Sequence, residues 1–168
     1  MGTDGDDLSS VVVFRLCGQL FAVTVDAVRE VVPYAWLATP PRMPAFVQGV
    51  LNLGGLAVPV LRLDMLLGMP PAAIGLSASI LIMKSTGTPM GLLVEHVEGV
   101  RPRAGFQFAA VDEAHSFQGC VAGQLESPQG AMQLVSWERV LLVEEERRLA
   151  QFQQDAQDRL ADLADAGA

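Results

Sequence analysis

The ordered pattern of the chain begins with two apolar runs rich in β-branched residues, Val11 to Leu16 and Leu20 to Val25, split by Cys17-Gly18-Gln19. Runs of this length and composition are strands, and the glycine supplies the positive φ of a tight turn, so the pair is predicted to be a hairpin. Asp26 reads as a helix N-cap. Ala27 to Val32 is then predicted to be a short helix with Val28, Val31 and Val32 on one side, stopped by Pro33. Beyond a connection through Pro40, Pro41 and Pro44, Phe46 to Leu51 and Leu56 to Leu61 form a second predicted hairpin around Asn52-Leu53-Gly54-Gly55. Leu63 to Leu67 adds one helical turn, ended by Gly68.

Residues 69–78 are rich in Pro, Ala and Gly and read as a linker, after which the same order of signals returns. Ser79 to Lys84 is a predicted strand, Thr86-Gly87-Thr88-Pro89 a turn, and Gly91 to Val94 a strand leading into Glu95-His96-Val97. At an offset of 69, Ala22 to Val28 lies over Gly91 to Val97, apolar on apolar and Asp26 on Glu95. At an offset of 74, Gly49 lies over Gly123, Leu51 over Leu125, Ala57 over Ala131, and Leu66-Leu67 over Val140-Leu141. A repeated unit of four or five strands points to two small β-barrels, because closing a sheet removes the edges through which it would aggregate.

The last part of the chain changes character. From Ser136, an N-cap by type, no glycine or proline occurs until after Ala166, and Ala, Leu, Glu, Gln and Arg dominate. Leu149, Phe152, Ala156, Leu160 and Leu163 step by three, four, four and three, placing them on one stripe of a helix. Glu144, Glu145 and Glu146 would favour the start of a separate helix there. Two readings of the stripe stay open: packing on the chain's own barrel, or pairing with a partner helix, self-association included.

The chain has 168 residues, 51% of them hydrophobic, a net charge of −8 and a single lysine, Lys84. Length allows one well-cored domain or two small halves sharing a core, and the mean hydropathy of +0.34 excludes a disordered chain. The charge sits at the ends. Residues 1–7 hold −3 and residues 144–168 hold −4, while the body between them has nine acids and eight bases. Such a balance argues against nucleic acid and anionic membranes, and a nearly neutral, very apolar body is expected to expose apolar surface to a protein partner. Residues 1–9 are expected to be a disordered acidic terminus. The uncharged windows 43–61 and 65–83 are long enough to span a bilayer, but Pro44, Gly54, Gly55, Pro59, Pro70, Pro71 and Gly75 break them, so a cytoplasmic protein without membrane insertion is expected.

Candidate chemistry is sparse. Cys17 and Cys120 lie far apart with no CxxC or neighbouring histidine, and read as small buried apolar residues. His96 falls beside a predicted strand end, and His115 lies in the polar Asp112-Glu113-Ala114-His115-Ser116 stretch, a solvated loop by composition. No HExxH or phosphate-binding glycine loop occurs, and Asp112-Glu113 are adjacent loop acids. No enzyme, metal or cofactor is expected from these residues.

Particular residues then become informative together. Phe14-Arg15-Leu16, Asp26 to Val32, Pro44-Ala45-Phe46-Val47-Gln48-Gly49-Val50-Leu51-Asn52-Leu53 with Gly55, and Val58-Pro59-Val60-Leu61 resemble the CheW family of chemotaxis coupling proteins. Gly91 to Val97 resembles the family's GLLVDxV element, and Leu134 to Leu141 its last strand and helix. The resemblance covers roughly residues 10–143, leaving 144–168 as a C-terminal acidic amphipathic helix. It implies a mainly β fold of two five-stranded barrel subdomains around a shared core, with short helices and the linker at 69–78. It also implies a non-catalytic adaptor between methyl-accepting chemoreceptor tips and the regulatory domain of a chemosensory histidine kinase.

Carried over residue by residue, the family's receptor-contacting valine and glutamate fall on Val28 and Glu30, with Val31 beside them on the predicted helix. Its receptor- and kinase-contacting turn falls on Gly49, Asn52, Leu53, Gly54 and Gly55. Two departures stand out: Gly54 replaces the arginine of NLRG, and Val60-Leu61-Arg62-Leu63-Asp64 exchanges the acid and base of VIDLR. Both point to a divergent coupling protein with a non-standard partner. The competing reading is a small-molecule sensor with a ligand in the groove between the barrels, which requires a closed, compact cavity where an adaptor requires an open one.

Overall fold

A computed structural model describes residues 10–85, 87, 89–113 and 116–167. The acidic residues of 1–9, His115, and Thr86 and Thr88 of the predicted turn lie outside the described residues. Eleven strands and two α-helices are present among the described residues: β1 (Ser10–Leu16), β2 (Gln19–Thr24), β3 (Val28–Pro33), β4 (Val47–Leu53), β5 (Leu56–Arg62), α1 (Leu63–Leu66), β6 (Ser79–Met83), β7 (Met90–Val94), β8 (His96–Pro102), β9 (Gln107–Ala110), β10 (Val121–Ser127), β11 (Gly130–Val135) and α2 (Trp137–Ala166).

Both predicted hairpins form. The β1–β2 turn carries Cys17 at φ 52° and Gly18 at φ 76°, and the β4–β5 turn carries Gly54 at φ 60° and Gly55 at φ 90°. Positive φ at both central residues is the turn whose twist matches that of the flanking strands. The helix predicted over Ala27 to Val32 does not form. Val25–Ala27 makes a single 3-10 turn, and Val28–Pro33 is a strand paired antiparallel with β6. Six residues give a helix one or two hydrogen bonds against a costly nucleus, whereas the strand gains a ladder and seats Val28 and Val32 against two different cores.

The strands assemble into a six-stranded sheet, β8-β1-β2-β11-β10-β9, and a five-stranded sheet, β3-β6-β7-β5-β4. Each sheet draws strands from both halves of the chain. Exchanging β1, β2, β3, β4, β5 for β6, β7, β8, β10, β11 turns one order into the other, and the registers obey the same rule. The bulge between Val47 and Gly49 recurs between Val121 and Gly123, an offset of 74. The parallel contact of Val60 with Gly91 recurs as Leu134 with Ala22, at offsets of 74 and 69. The extra strand is β9, which pairs with β10. Its counterpart in the first half is a single bridge between Ala38 and Val50, because Pro40, Pro41 and Pro44 cannot donate to a ladder. Both ladders run open rather than closing on themselves.

Successive side chains of the central strands are buried on opposite faces. On β1, Val11 and Val13 enter a core with Ala22, Leu125, Met132 and Leu134, while Val12, Phe14 and Leu16 enter a shared core with Phe21, Leu63, Leu81 and Leu92. On β6, Ile80 and Ile82 enter the five-stranded sheet's own core, and Leu81 and Met83 the shared one. Each fully buried side chain of this size contributes roughly 1.5–3 kcal/mol, and burial on both faces explains why these strands read as unbroken apolar runs.

Helix α2 is one helix, running through Glu144 without the separate start expected there. The Ser136 hydroxyl caps it by accepting the Arg139 N–H at 3.4 Å. Trp137, Val140 and Glu144 are its buried residues, and the Trp137 indole N–H donates to the Lys84 carbonyl at 3.1 Å. Burial pushes the Glu144 carboxyl above its ordinary value, only partly offset by Arg148, whose Nη2 donates to it at 3.2 Å and whose Nε lies 3.0 Å away. The stripe, by contrast, does not pack on the body. Leu149, Phe152, Leu160 and Leu163 are 59–70% exposed.

Candidate binding surfaces

The first candidate surface is the strand β3, at one edge of the five-stranded sheet. Because the segment is extended, its side chains alternate about a bulge between Val28 and Glu30. Val28 is half-buried against the shared core, Val32 against the second core, and Glu30 and Val31 face out, Val31 with 42% exposure. The three valines therefore do not share a side, as a helix would have required. Glu30 lies 3.8 Å from Arg29, a solvated pair of little energetic weight. What β3 offers a partner is Glu30, Val31 and one unpaired backbone edge.

The second candidate surface, the β4–β5 turn, lies at the tip of the hairpin that forms the opposite edge of the same sheet. Most of its residues have local tasks. The Asn52 carboxamide oxygen accepts the Gly55 N–H at 2.8 Å. Leu53 packs against the second core. Gly49 sits in the bulge, where an added Cβ would lie 2.7 Å from the Leu37 Cβ and 2.8 Å from the Ala38 oxygen. The backbone of Ala38 crosses there to bond Val50, with N–O distances of 2.8 and 2.9 Å. Gly49 is thus required by the fold, and the part of the turn open to a partner is Asn52, Gly54, Gly55 and the 43% exposed Leu56.

An arginine at position 54 meets no neighbour within 4 Å of its Cβ, and only the backbone resists it. Cys17 already occupies the equivalent first turn position of β1–β2 at φ 52°. Gly54→Arg is therefore expected to fold, with a loss of about 1–2 kcal/mol in denaturant unfolding, while changing the affinity of whatever contacts the turn. Unchanged partner affinity in a titration would remove the turn from the interface.

The exchanged acid and base have a local account. Arg62, the last residue of β5, and Asp64, the second residue of α1, form an ion pair across the strand–helix junction. Arg62 Nη2 and Nε lie 2.8 and 3.2 Å from the carboxylate, which also accepts the N–H groups of Met65 at 2.8 Å and Ala72 at 3.0 Å. Arg62 in turn donates to the Ala72 carbonyl at 2.8 Å and to Gln48 at 3.4 Å. Burial alone would raise the Asp64 carboxyl. The hydrogen bonds from Arg62, Ala72 and Met65 and the charge of Arg62 outweigh it and hold the carboxyl below the ordinary range.

Other candidates are quieter. His96 is an exposed residue at the start of β8. Cys120 is fully buried, and burial pushes its thiol to about 11 despite Arg147 and Arg139. Cys17 is only half-buried, at a turn, with Sγ 3.4 Å from the Pro70 carbonyl, and burial followed by Asp64 and Glu95 raises it. Neither thiol is activated. No group of three or more metal-ligating side chains occurs among the described residues, and no helix there is long and apolar enough to cross a membrane. A groove of about 510 Å³ runs past Asp26, Lys84, Ser136, Trp137 and Glu138. It is open and rimmed by charge, which is not the closed apolar cavity a ligand sensor needs. The more enclosed space, beside Arg62 and Asp64, holds about 20 Å³, room for one water.

The surface that sequence reasoning missed is β8, at the edge of the six-stranded sheet. Its residues alternate polar and apolar without an apolar run, so no strand signal stands out. The offset of 69 extended past Val97 does pair it with β3, since Val31 falls on Val100 and Pro33 on Pro102, but the sequence alone reads the β3 segment as a helix and so offers no strand to copy. Val100 is 63% exposed, and Glu98 pairs with Arg15 at 2.6 Å.

Comparison with known proteins places this geometry. Two curated relatives, the "Probable chemotaxis protein CheW" of Rhizobium etli and the "Chemotaxis protein CheW" of Rhizobium meliloti, are each 32% identical over 90 residues. The aligned stretch is 54% of this chain and 58% of each relative, so the chain spans little more than half the length of the relatives it matches. The crystal structure of scaffolding protein TtCheW from Thermoanaerobacter tengcongensis superposes with a TM-score of 0.64 at 24% identity, over 77% of this chain and 89% of that one, which shows a common fold. The CheW-like domain matches residues 10–147, from the first residue of β1 to the second turn of α2 beyond its buried Val140. With both sheets and the shared core inside those bounds, the chain belongs to the CheW-like domain family.

Proposed function

We propose that this protein is a non-catalytic adaptor that couples chemoreceptors to a chemosensory histidine kinase in the bacterial cytoplasm. The observation that carries the reading is the CheW-like domain over residues 10–147. Its surfaces fit such work: two sheet edges carry exposed apolar residues, Val31 on β3 and Val100 on β8, beside solvated charges. Binding would rest on apolar burial at these edges with few polar contacts, and no bond is made or broken. Glu30 and Val31 are assigned to the receptor tip. The Gly54 turn is assigned to the receptor and kinase side, with Asn52, Leu53 and Gly55 shaping it and Gly49 supporting it.

The test is a titration of the purified protein against the regulatory domain of a chemosensory kinase and against a receptor-tip fragment from the same genome. Micromolar binding to both is expected. Val31→Asp should weaken receptor binding by about tenfold or more, equivalent to about 1.4 kcal/mol, with little change in melting temperature because the side chain is exposed. Val28→Asp is the poorer probe, since it also places a charge against the shared core. No binding to any such kinase or receptor would overturn the adaptor reading.

A further inference from the structure

Trp36 is 85% exposed, more than any other described aromatic residue, and none of the described residues hydrogen-bonds its indole N–H. A single apolar side chain on a surface calls for no explanation. What makes Trp36 informative is where it stands.

The backbones of Ala38 and Val50 pair antiparallel, each N–H donating to the other carbonyl. Leu37 and Leu51, next to that pair, both turn into the second core. Trp36 and Asn52, one step further on either strand, are both exposed, which sets Trp36 beside the open part of the β4–β5 turn. The same residue continues the outer side of β3. Val32, Tyr34 and Leu37 pack on the second core, and Val31, Pro33 and Trp36 between them are exposed. Val31 and Trp36 are at most about 17 Å apart along the chain, within the span of one ordinary interface. Trp36 therefore joins the two candidate surfaces into one face. Of the partners assigned to them, only the receptor tip is common to both, since the kinase domain is assigned to the turn alone.

The chemistry of this face is apolar. Arg42 is the only charged residue in 31–61, and it lines a cleft with Asp155 and Asp158 of α2. The arginine that the resemblance places in the turn is Gly54 here. A guanidinium holds a partner through a carboxylate or carbonyls, whereas an exposed indole beside a bare turn offers a flat apolar ring that fills a pocket, the commonest form of interface anchor. We propose that Trp36 is an anchor of the receptor-binding face, seated in an apolar pocket of the receptor tip and supplying the hold that the turn lacks without its arginine. The inference rests on the adaptor reading.

The test uses the full chain and a tryptophan-free receptor-tip fragment from the same genome. Trp137 is buried, so a change in tryptophan emission on binding reports on Trp36. Adding the fragment should shift the emission to shorter wavelength. Trp36→Ala should weaken receptor binding by about tenfold or more, with unchanged melting temperature and unchanged affinity for the kinase regulatory domain. If the wild type binds the fragment without a shift, or Trp36→Ala binds it as tightly, the inference falls and the adaptor reading stands. Equal loss of kinase binding, or a shift produced by the kinase domain or by raising the protein's own concentration, would also overturn the inference, because Trp36 would then belong to another contact. A wild type that does not bind the receptor fragment overturns it too, and one that binds neither partner overturns the adaptor reading as well.

Discussion

Replacing Asp64 by alanine should lower the unfolding free energy by about 3–5 kcal/mol, as expected when one partner of a buried ion pair is removed. The carboxylate is the hub of four hydrogen bonds, two from Arg62 and one each from the N–H groups of Met65 and Ala72. Without it the Arg62 guanidinium, whose side chain is 16% exposed, keeps only the Ala72 carbonyl and Gln48, and the Ala72 N–H loses its acceptor. Residues 69–78 form no strand, so Ala72, held through both its N–H and its carbonyl, is where this segment is tied to β5. Urea unfolding should show the loss, and limited proteolysis should show cleavage within 69–78 before the sheets open. Replacing Arg62 and Asp64 together by leucine should recover much of the deficit, because no unpaired charge is left behind. A wild-type urea midpoint for Asp64→Ala would show that the pair does not hold the segment.

The same pair predicts an acid limb. The Asp64 carboxyl is lower in the folded protein than its ordinary value near 3.9. Its contribution is therefore complete above that value and is lost as the pH falls below it towards the folded value. Asp64→Ala should flatten the stability curve in that acid window relative to wild type, and leave the slope near neutrality unchanged.

Gly49→Ala is the second large effect, a loss of about 2–3 kcal/mol, or roughly 4–12 °C in melting temperature for a chain of this size. The atoms in the way are the Leu37 Cβ and the Ala38 carbonyl oxygen, which belong to or adjoin the backbone and cannot swing aside. The repeat makes the expectation double. At Gly123, an added Cβ would overlap the Phe108 ring and lie 2.8 Å from the Ala109 oxygen, so Gly123→Ala should cost a comparable amount. A calorimetric scan that found Gly49→Ala as stable as wild type would return Gly49 to the contact residues and remove it from the supporting ones.

Much of the fold was legible because local signals and tertiary packing agree. The hairpins of β1–β2 and β4–β5 follow from β-branched runs closed by glycines, and the two offsets found in the sequence reappear as matched bulges and matched parallel contacts. The segment Ala27 to Val32 was misread because its conformation is decided by β6, some fifty residues away, which no local pattern reveals. Strands β8 and β9 were missed because edge strands with solvated faces carry no apolar run. At the candidate sites, the residues were legible but their division of labour was not. Gly49 and Asn52 look like contact residues in a motif, and only the crossing of Ala38 and the hydrogen bond to Gly55 show them supporting the turn. The stripe of α2 was readable from its spacing, while its exposure depended on where the body ends.

The exchange of strands between the halves also governs how the protein comes into being. Strand β1 has to wait for β8, and β2 for β11, the last strand among the described residues. The first half of the nascent chain therefore has hairpins but no finished sheet until β8 and β11 have been made. Pairings so distant in sequence are slow to close, and until they do, the edges of β2 and β5 lie open to any neighbouring chain. Cutting the gene at the linker would yield two fragments that complete each other when mixed, and neither would be a domain.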